Sequence, residues 1–139
     1  ELVYDRLLPG GFLISINPPG IYNQPTPWGV EIKRIIDEFL GPTRRAGSGT
    51  YSQGEYHEVL LEKTRFAGCV NSHHIVTEEW WSIDRIVGWL FSSSHSSRFL
   101  LGYAAEDFER KIREVLHPFA EAGVIKRTID YTITRARKA

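Results

Sequence analysis

The chain has 139 residues, of which 42% are hydrophobic and 24% charged, with 17 Lys plus Arg balancing 17 Asp plus Glu. That length suits a single domain, residues 1–139, with a real core, and the composition excludes wholesale disorder. Zero net charge argues against nucleic-acid binding, which needs a basic excess, and no apolar run approaches the ~20 residues that cross a bilayer.

Glu1 to Leu8 mixes Leu2, Val3, Leu7 and Leu8 with Glu1, Asp5 and Arg6, as in the last turns of a helix, and Pro9-Gly10-Gly11 stops it. The same residues are too charged to be a signal peptide, and the absence of methionine points to a processed or excised start. Phe12-Leu13-Ile14-Ser15-Ile16 is short, apolar and bounded by turn residues, which reads as a strand buried on both faces. Asn17-Pro18-Pro19-Gly20 breaks its ladder, and a loop runs to about Pro25.

Thr26 as cap, Pro27 in the first turn and Gly41-Pro42 as stop predict a helix over 27–40. Val30, Ile32, Ile35, Ile36, Phe39 and Leu40 form its apolar stripe, with Glu31/Arg34 and Lys33/Asp37 pairs facing outward. Residues 42–51 read as a flexible loop. Ser52 and Glu55 have capping-box spacing and Tyr51 and Tyr56 that of a hydrophobic staple, so a short helix is expected over about 53–63.

Val70, Ile75, Val76 and Thr77 mark a strand within 68–77. Ser82 caps a helix from Ile83 whose apolar residues cover most of its circumference, and the run Ser92 to Ser97 ends it. Ala105 to Leu116 reads as a surface helix with Phe108, Ile112 and Leu116 on one face and Glu106/Arg110, Asp107/Lys111 and Glu109/Arg113 on the other. Pro118 ends it, and Gly123 opens a last strand, to about residue 135, with a period of two.

The single cysteine, Cys69, rules out an internal disulfide framework and a cysteine-rich zinc site, suits a reducing cytoplasm, and is expected to be a buried thiol. His73 and His74 project to opposite faces of a strand, one of them half-buried, and cannot readily chelate one ion. With His57, His95 and His117 scattered, no metal site is expected. Gly47-Ser48-Gly49-Thr50 lacks the Gly-Lys-Ser/Thr of a phosphate-binding loop. The serine run around Ser93 and His95 is either a polar pocket lining or a helix terminus with hydroxyls bonded to local backbone. Trp28, Trp80, Trp81 and Trp89, with Tyr22, are either a site for an apolar or planar ligand or core packing. A small hydrolase using Cys69 or Ser93 with a histidine is a third reading, for which spacing supplies no base within reach. No catalytic residue is assigned, and the Arg135, Arg137, Lys138 end reads as a solvated tail.

Arg6-Leu7-Leu8-Pro9-Gly10-Gly11-Phe12-Leu13-Ile14 resembles the helix, Pro-Gly-Gly turn and strand found late in class I S-adenosylmethionine-dependent methyltransferases. Trp81 to Ser94, then Leu100-Leu101-Gly102 and Asp107-Phe108-Glu109, look like the C-terminal half of small-molecule members of that superfamily. The resemblance covers nearly the whole chain but only half of the family's domain. It implies an α/β fold: a small mixed three-stranded sheet of strands at about 12–16, 68–77 and 124–135, the last antiparallel in the middle, with four or five helices, as in the late half of a Rossmann-like methyltransferase.

In that family the cofactor is held by a glycine-rich turn after the first strand and by acidic strand ends, all upstream of the Pro-Gly-Gly turn. The resemblance therefore carries over no S-adenosylmethionine ligand, and the expected function is a methyltransferase-like C-terminal fragment, related to enzymes that methylate small molecules and inactive alone. Asn17-Pro18-Pro19 also resembles the Asn-Pro-Pro-aromatic turn with which one methyltransferase group holds an amine, although Gly20 takes the fourth place and Tyr22 lies two further on. The expected substrate or ligand pocket comprises Asn17, Tyr22, Trp28, Trp81, Trp89, Ser93 and His95. The alternative is a self-contained ligand-binding or assembly module with an aromatic pocket.

By the same resemblance, the strand at 12–16 would pair with a fourth strand that this chain does not contain. An apolar strand with unpaired amides invites association. The expected partner is a missing N-terminal half or, in a homodimer or element-swapped oligomer, a second copy touching Phe12, Leu13, Ile14 and Ile16.

Overall fold

Pro9 presets the backbone for the second position of a tight turn, and only glycine takes the positive φ of the third without strain. In the computed structural model, which describes residues 1–20, 26–43, 45–46, 49–50 and 54–139, Gly10 has φ +77°. Gly11 N–H donates to Leu8 O at 2.9 Å, closing a turn of type II character after the short helix α1 (Leu2–Arg6). Gly10 N–H then donates to Lys138 O at 3.0 Å and Lys138 N–H to Gly11 O at 2.8 Å. This is the bulge in which a left-handed glycine and its successor face one residue of the next strand. The Pro-Gly-Gly motif thus turns the chain and aligns β1 (Phe12–Asn17) on its partner.

The other elements are α2 (Pro27–Leu40), β2 (Arg45–Ala46), β3 (Gly49–Thr50), α3 (His57–Glu62), β4 (Val70–Ser82), α4 (Ile83–Ser92), α5 (Arg98–Leu101), α6 (Ala105–Leu116) and β5 (Val124–Arg137). The main sheet has the order β1-β5-β4, and β1 pairs with β5 from Phe12 opposite Arg137 to Asn17 opposite Thr132. The protein is α/β, and its three-stranded sheet is antiparallel rather than mixed, because a central strand running against both neighbours leaves no parallel pair. Among the described residues no helix is long and apolar enough to cross a membrane.

The chain forms two compact units, one of Glu1–Pro19, Gln53–Thr77 and Thr128–Ala139, the other of Gly20–Ser52 and Glu78–Arg127, so that β4 and β5 contribute residues to both. In the first unit Tyr4, Phe66 and Ala136 are buried and Leu7, Leu13, Leu61 and Val70 pack on them, with the Tyr4 and Phe66 rings edge-to-face at 4.8 Å. Ser15 Oγ is hydrogen-bonded to His57 Nδ1, which ties the start of α3 to β1.

The core of the second unit is built by Trp28, Ile32 and Ile36 of α2, Ile86 and Leu90 of α4, and Phe108, Ile112 and Leu116 of α6. Caps start two of these helices as the spacing predicts: Gly29 N–H donates to Thr26 Oγ1 at 3.1 Å and Arg85 N–H to Ser82 Oγ at 3.1 Å. On α2 the pairs Glu31/Arg34 and Lys33/Asp37 form at 2.9 and 2.5 Å. On α6 only Glu109/Arg113 forms among the expected pairs. Arg110 bonds Asp107 and Glu114 instead, and Lys111 reaches Glu38 of α2.

Several expectations are corrected. β1 is covered on one face only, because Leu13 and Ser15 turn toward the helices while Phe12, Ile14 and Ile16 remain 45, 58 and 61% exposed. Val30 lies off the buried stripe and is 60% exposed. Cys69 is exposed, not buried, since it sits at the mouth of β4 beside Gly68. His73 and His74 are both exposed, because this stretch of β4 is uncovered, and His74 Nδ1 lies 3.0 Å from Asp130 Oδ1. Within the expected loop at 42–51 the two-residue strands β2 and β3 pair antiparallel, Arg45 opposite Thr50 and Ala46 opposite Gly49. α3 begins at His57, while Tyr51 and Ser52 of its expected staple and capping box lie outside the described residues.

Replacing Gly10 by alanine forces a Cβ into the left-handed region and is expected to cost about 1–2 kcal/mol, read from the denaturant midpoint. In Gly88→Ala, on the exposed side of α4 where an added Cβ meets nothing, the same measurement should instead show stabilisation by about 0.5–1 kcal/mol.

Candidate functional site

Consecutive residues of a strand face opposite ways, so Trp80 and Trp81, adjacent in β4, are used differently. Trp81 is 6% exposed and belongs to the core. The guanidinium carbons of Arg85 and Arg127 lie 4.1 and 4.5 Å from its ring centroid, and its Nε1–H donates to Glu79 Oε2 at 2.5 Å. Trp80 is 57% exposed. It forms a wall of a cleft of about 470 Å³ lined by Trp28, Trp80, Phe119, Glu121, Ala122, Val124, Ile125 and Lys126.

Each wall has a local origin. Thr26 and Pro27 fix the first turn of α2 and with it Trp28, which is 5% exposed and shows the cleft little more than an edge. Phe119 closes the short 3₁₀ turn that Pro118 imposes after α6. Glu121 and Val124 exchange backbone hydrogen bonds at 2.9 and 3.0 Å around Ala122 and Gly123, whose φ values are +48° and +81°. Two positive φ angles are the signature of a type I′ turn, which twists the chain correctly into β5 but strains the alanine. At the mouth, Lys126 Nζ sits 2.7 Å from Glu78 Oε1 and 6.0 Å from the Trp80 ring centroid.

The cleft therefore offers the exposed Trp80 ring, apolar lining that includes Val124 and Phe119, and an ammonium–carboxylate pair of Lys126 and Glu78 beside it. This suits a flat, largely apolar ligand. Among the described residues no serine, threonine or cysteine lines it, and no group of three His, Cys, Asp or Glu is placed to hold a metal ion.

The residues expected at a pocket are not gathered together. Trp28 lines the cleft, whereas Trp81 is in the core and Trp89, half-buried, packs at its margin. Ser93 and His95 lie in the run after α4, where hydroxyls bond backbone: Ser93 Oγ accepts from His95 N–H at 3.3 Å, and Ser96 Oγ donates to Leu90 O at 2.6 Å. Asn17 is the exposed last residue of β1, in the first unit, and Tyr22 lies outside the described residues. Phe119, Glu121 and Lys126 are absent from the sequence expectation. The Pro118 stop and the Ala122-Gly123 turn were the signals that could have located them.

α6 carries charge pairs both along itself and to its neighbours. Arg113 donates to Glu109 Oε1 at 2.9 Å and to Asp84 Oδ1 of α4 at 2.6 Å, and Arg98 of α5 donates to Glu109 Oε2 at 2.7 Å. The Arg113 hydrogen bond holds the Glu109 carboxyl below the ordinary carboxylate range, and the Arg110 hydrogen bond does the same for Asp107.

Two outcomes are expected. Naphthalene-2-sulfonate, a flat aromatic probe kept in water by its sulfonate, should quench tryptophan fluorescence, and Trp80→Ala should weaken its binding by roughly 2- to 10-fold while moving the melting midpoint by no more than about 2 °C. Because the folded-state values of Glu109 and Asp107 are depressed, their pairs stabilise fully above the ordinary carboxylate range and fade as pH falls below about 4. The melting midpoint should drop there, and less steeply in Arg113→Ala, where Glu109 keeps only its Arg98 partner.

No protein-family model matches the chain, and no curated protein matches it either.

Proposed function

We propose that the chain is the C-terminal part of a methyltransferase-like domain, related to enzymes that methylate small molecules, and that it transfers no methyl group by itself. The observation that carries this reading is the sheet order β1-β5-β4, with the last strand of the sequence in the middle and antiparallel to β1, following the Pro-Gly-Gly turn. It is the order expected of the fifth, seventh and sixth strands of that family's sheet.

S-adenosylmethionine does not fit the described residues. β1 ends in Asn17 before two prolines, and β4 runs directly into α4, whose first turn is filled by its own Ser82 cap. Neither junction supplies a glycine turn for close approach or an acidic strand end for a ribose. The chain's own contribution is thus confined to sheet and surface, and no step of methyl transfer is assigned to any residue.

A second reading, a ligand-binding module, is favoured by the cleft of Trp28, Trp80 and Phe119. The two are separated by the reading frame immediately upstream of Glu1. An in-frame strand, glycine-rich turn and helix support the methyltransferase reading, and an unrelated domain or a stop codon there overturns it. Calorimetric titration of the chain with S-adenosylmethionine is expected to give no binding heat up to ~1 mM, and a dissociation constant in the micromolar range would refute the predicted inactivity.

A further inference from the structure

We infer that β1 is a self-pairing edge: two copies of this chain join β1 to β1 in antiparallel register about Ile14, making one continuous sheet through both molecules. The inference concerns the 139-residue chain by itself and rests on the geometry of β1; an upstream half, as the methyltransferase reading has it, would take the same edge with its fourth strand, so sedimentation of this chain and cofactor titration test the two separately.

Hydrogen-bond parity on β1 is settled at two points. The bulge at Gly10-Gly11 bonds to Lys138, and Arg137 N–H points the other way, donating to Cys69 O at 3.1 Å. In an antiparallel ladder bonded and non-bonded pairs alternate. Phe12/Arg137, Ile14/Arg135 and Ile16/Ile133 are therefore the non-bonded pairs. The N–H and C=O groups of Phe12, Ile14 and Ile16 point away from β5, at the edge of the sheet where no further strand pairs among the described residues.

Those groups are self-complementary about Ile14. Ile14 opposite its own copy and Phe12 opposite the copy's Ile16 form bonded pairs that use every one of these open donors and acceptors. A shift by two residues brings Gly10 into the ladder, whose N–H is already taken by Lys138 O. Directly opposed residues share a face, so the exposed side chains of Phe12, Ile14 and Ile16 meet their counterparts and shield one another.

Nothing on β1 opposes such pairing: residues 12–16 carry no charge and no proline, the usual guards of an edge. The basic side chains favour this geometry over stacking the two exposed faces. Arg135 and Arg137 lie on the exposed face, with guanidinium carbons 5.2 and 6.0 Å from the Phe12 ring centroid. Edge pairing separates the two β5 strands by about 14 Å, three strand spacings, beyond the screening length of about 8 Å in physiological salt. Stacking would hold like charges about 10 Å apart across an apolar layer.

The test is sedimentation of the full chain in a Cys69→Ser background from ~10 µM to ~1 mM, since so short an interface belongs to the weak class. A dimer fraction rising with concentration, abolished by Ile14→Glu with an unchanged circular dichroism spectrum, is the expected result. In the same background Ile14→Cys should form a disulfide-linked dimer on oxidation. Leu13→Cys should not, because this register places Leu13 opposite the copy's Ser15 and leaves the two Leu13 Cα atoms beyond the ~7 Å a disulfide spans. A monomer at every concentration overturns the inference. So does a dimer that survives Ile14→Glu, or one that links through Leu13→Cys as readily as through Ile14→Cys.

Discussion

The ladder between Phe12–Asn17 and Thr132–Arg137 is the constraint from which the first unit follows. Its alignment is set at the bulge, where Gly10 and Gly11 share Lys138. Because side chains and hydrogen-bonding groups both alternate along a strand, one such anchor decides every later residue. Leu13 and Ser15 must face α3 and the small core around Tyr4 and Phe66, and Phe12, Ile14 and Ile16 must face away, with amides that no further strand pairs among the described residues. The apolar character of β1 is thus divided between a covered face and an uncovered one, an arrangement that soluble sheets normally avoid.

In the second unit the comparable element is α6. Its apolar side is buried among α2 and α4, and its charged side does not simply face water. Lys111 reaches Glu38 on α2, Arg113 reaches Asp84 on α4, and Glu109 receives Arg98 from α5. These pairs are largely exposed, so each adds little by itself, but together they tie three helices to one. The parity that divides β1 also divides the tryptophan pair of β4: Trp81 enters the core with two guanidinium groups on its ring, and Trp80 is left exposed as part of the cleft lining.

Helix boundaries are legible in the sequence where the physics is local. The cap at Thr26 with Pro27, the cap at Ser82 and the heptad-like stripe of α6 place three helices at residues 27–40, 83–92 and 105–116, because capping and helical periodicity depend on residues within a few positions of each other. β4 is longer than the expected 68–77: alternation is lost over Asn71 to Val76, where both faces are exposed, and the strand continues through Glu78 and Trp80 to Ser82. The cleft was half legible. Four tryptophans and a proline stop were visible, but whether Trp28 meets Trp80 or Trp81 depends on the face of a strand, and Phe119 and Lys126 come from segments distant in sequence.

The sequence alone determined the types of the longer elements, the Pro-Gly-Gly turn, the neutral charge balance and the absence of a cysteine framework, all of which depend on composition or short-range stereochemistry. The resemblance already implied a last strand antiparallel in the middle, and only the tertiary structure decided that β1 has a naked apolar face, that Cys69, His73 and His74 are exposed, and that the tryptophans scatter rather than converge. The physical reason is the same in each case. Burial is conferred by what packs on a residue from elsewhere in the chain, and an apolar run such as Phe12 to Ile16 reads alike whether one of its faces is covered or both.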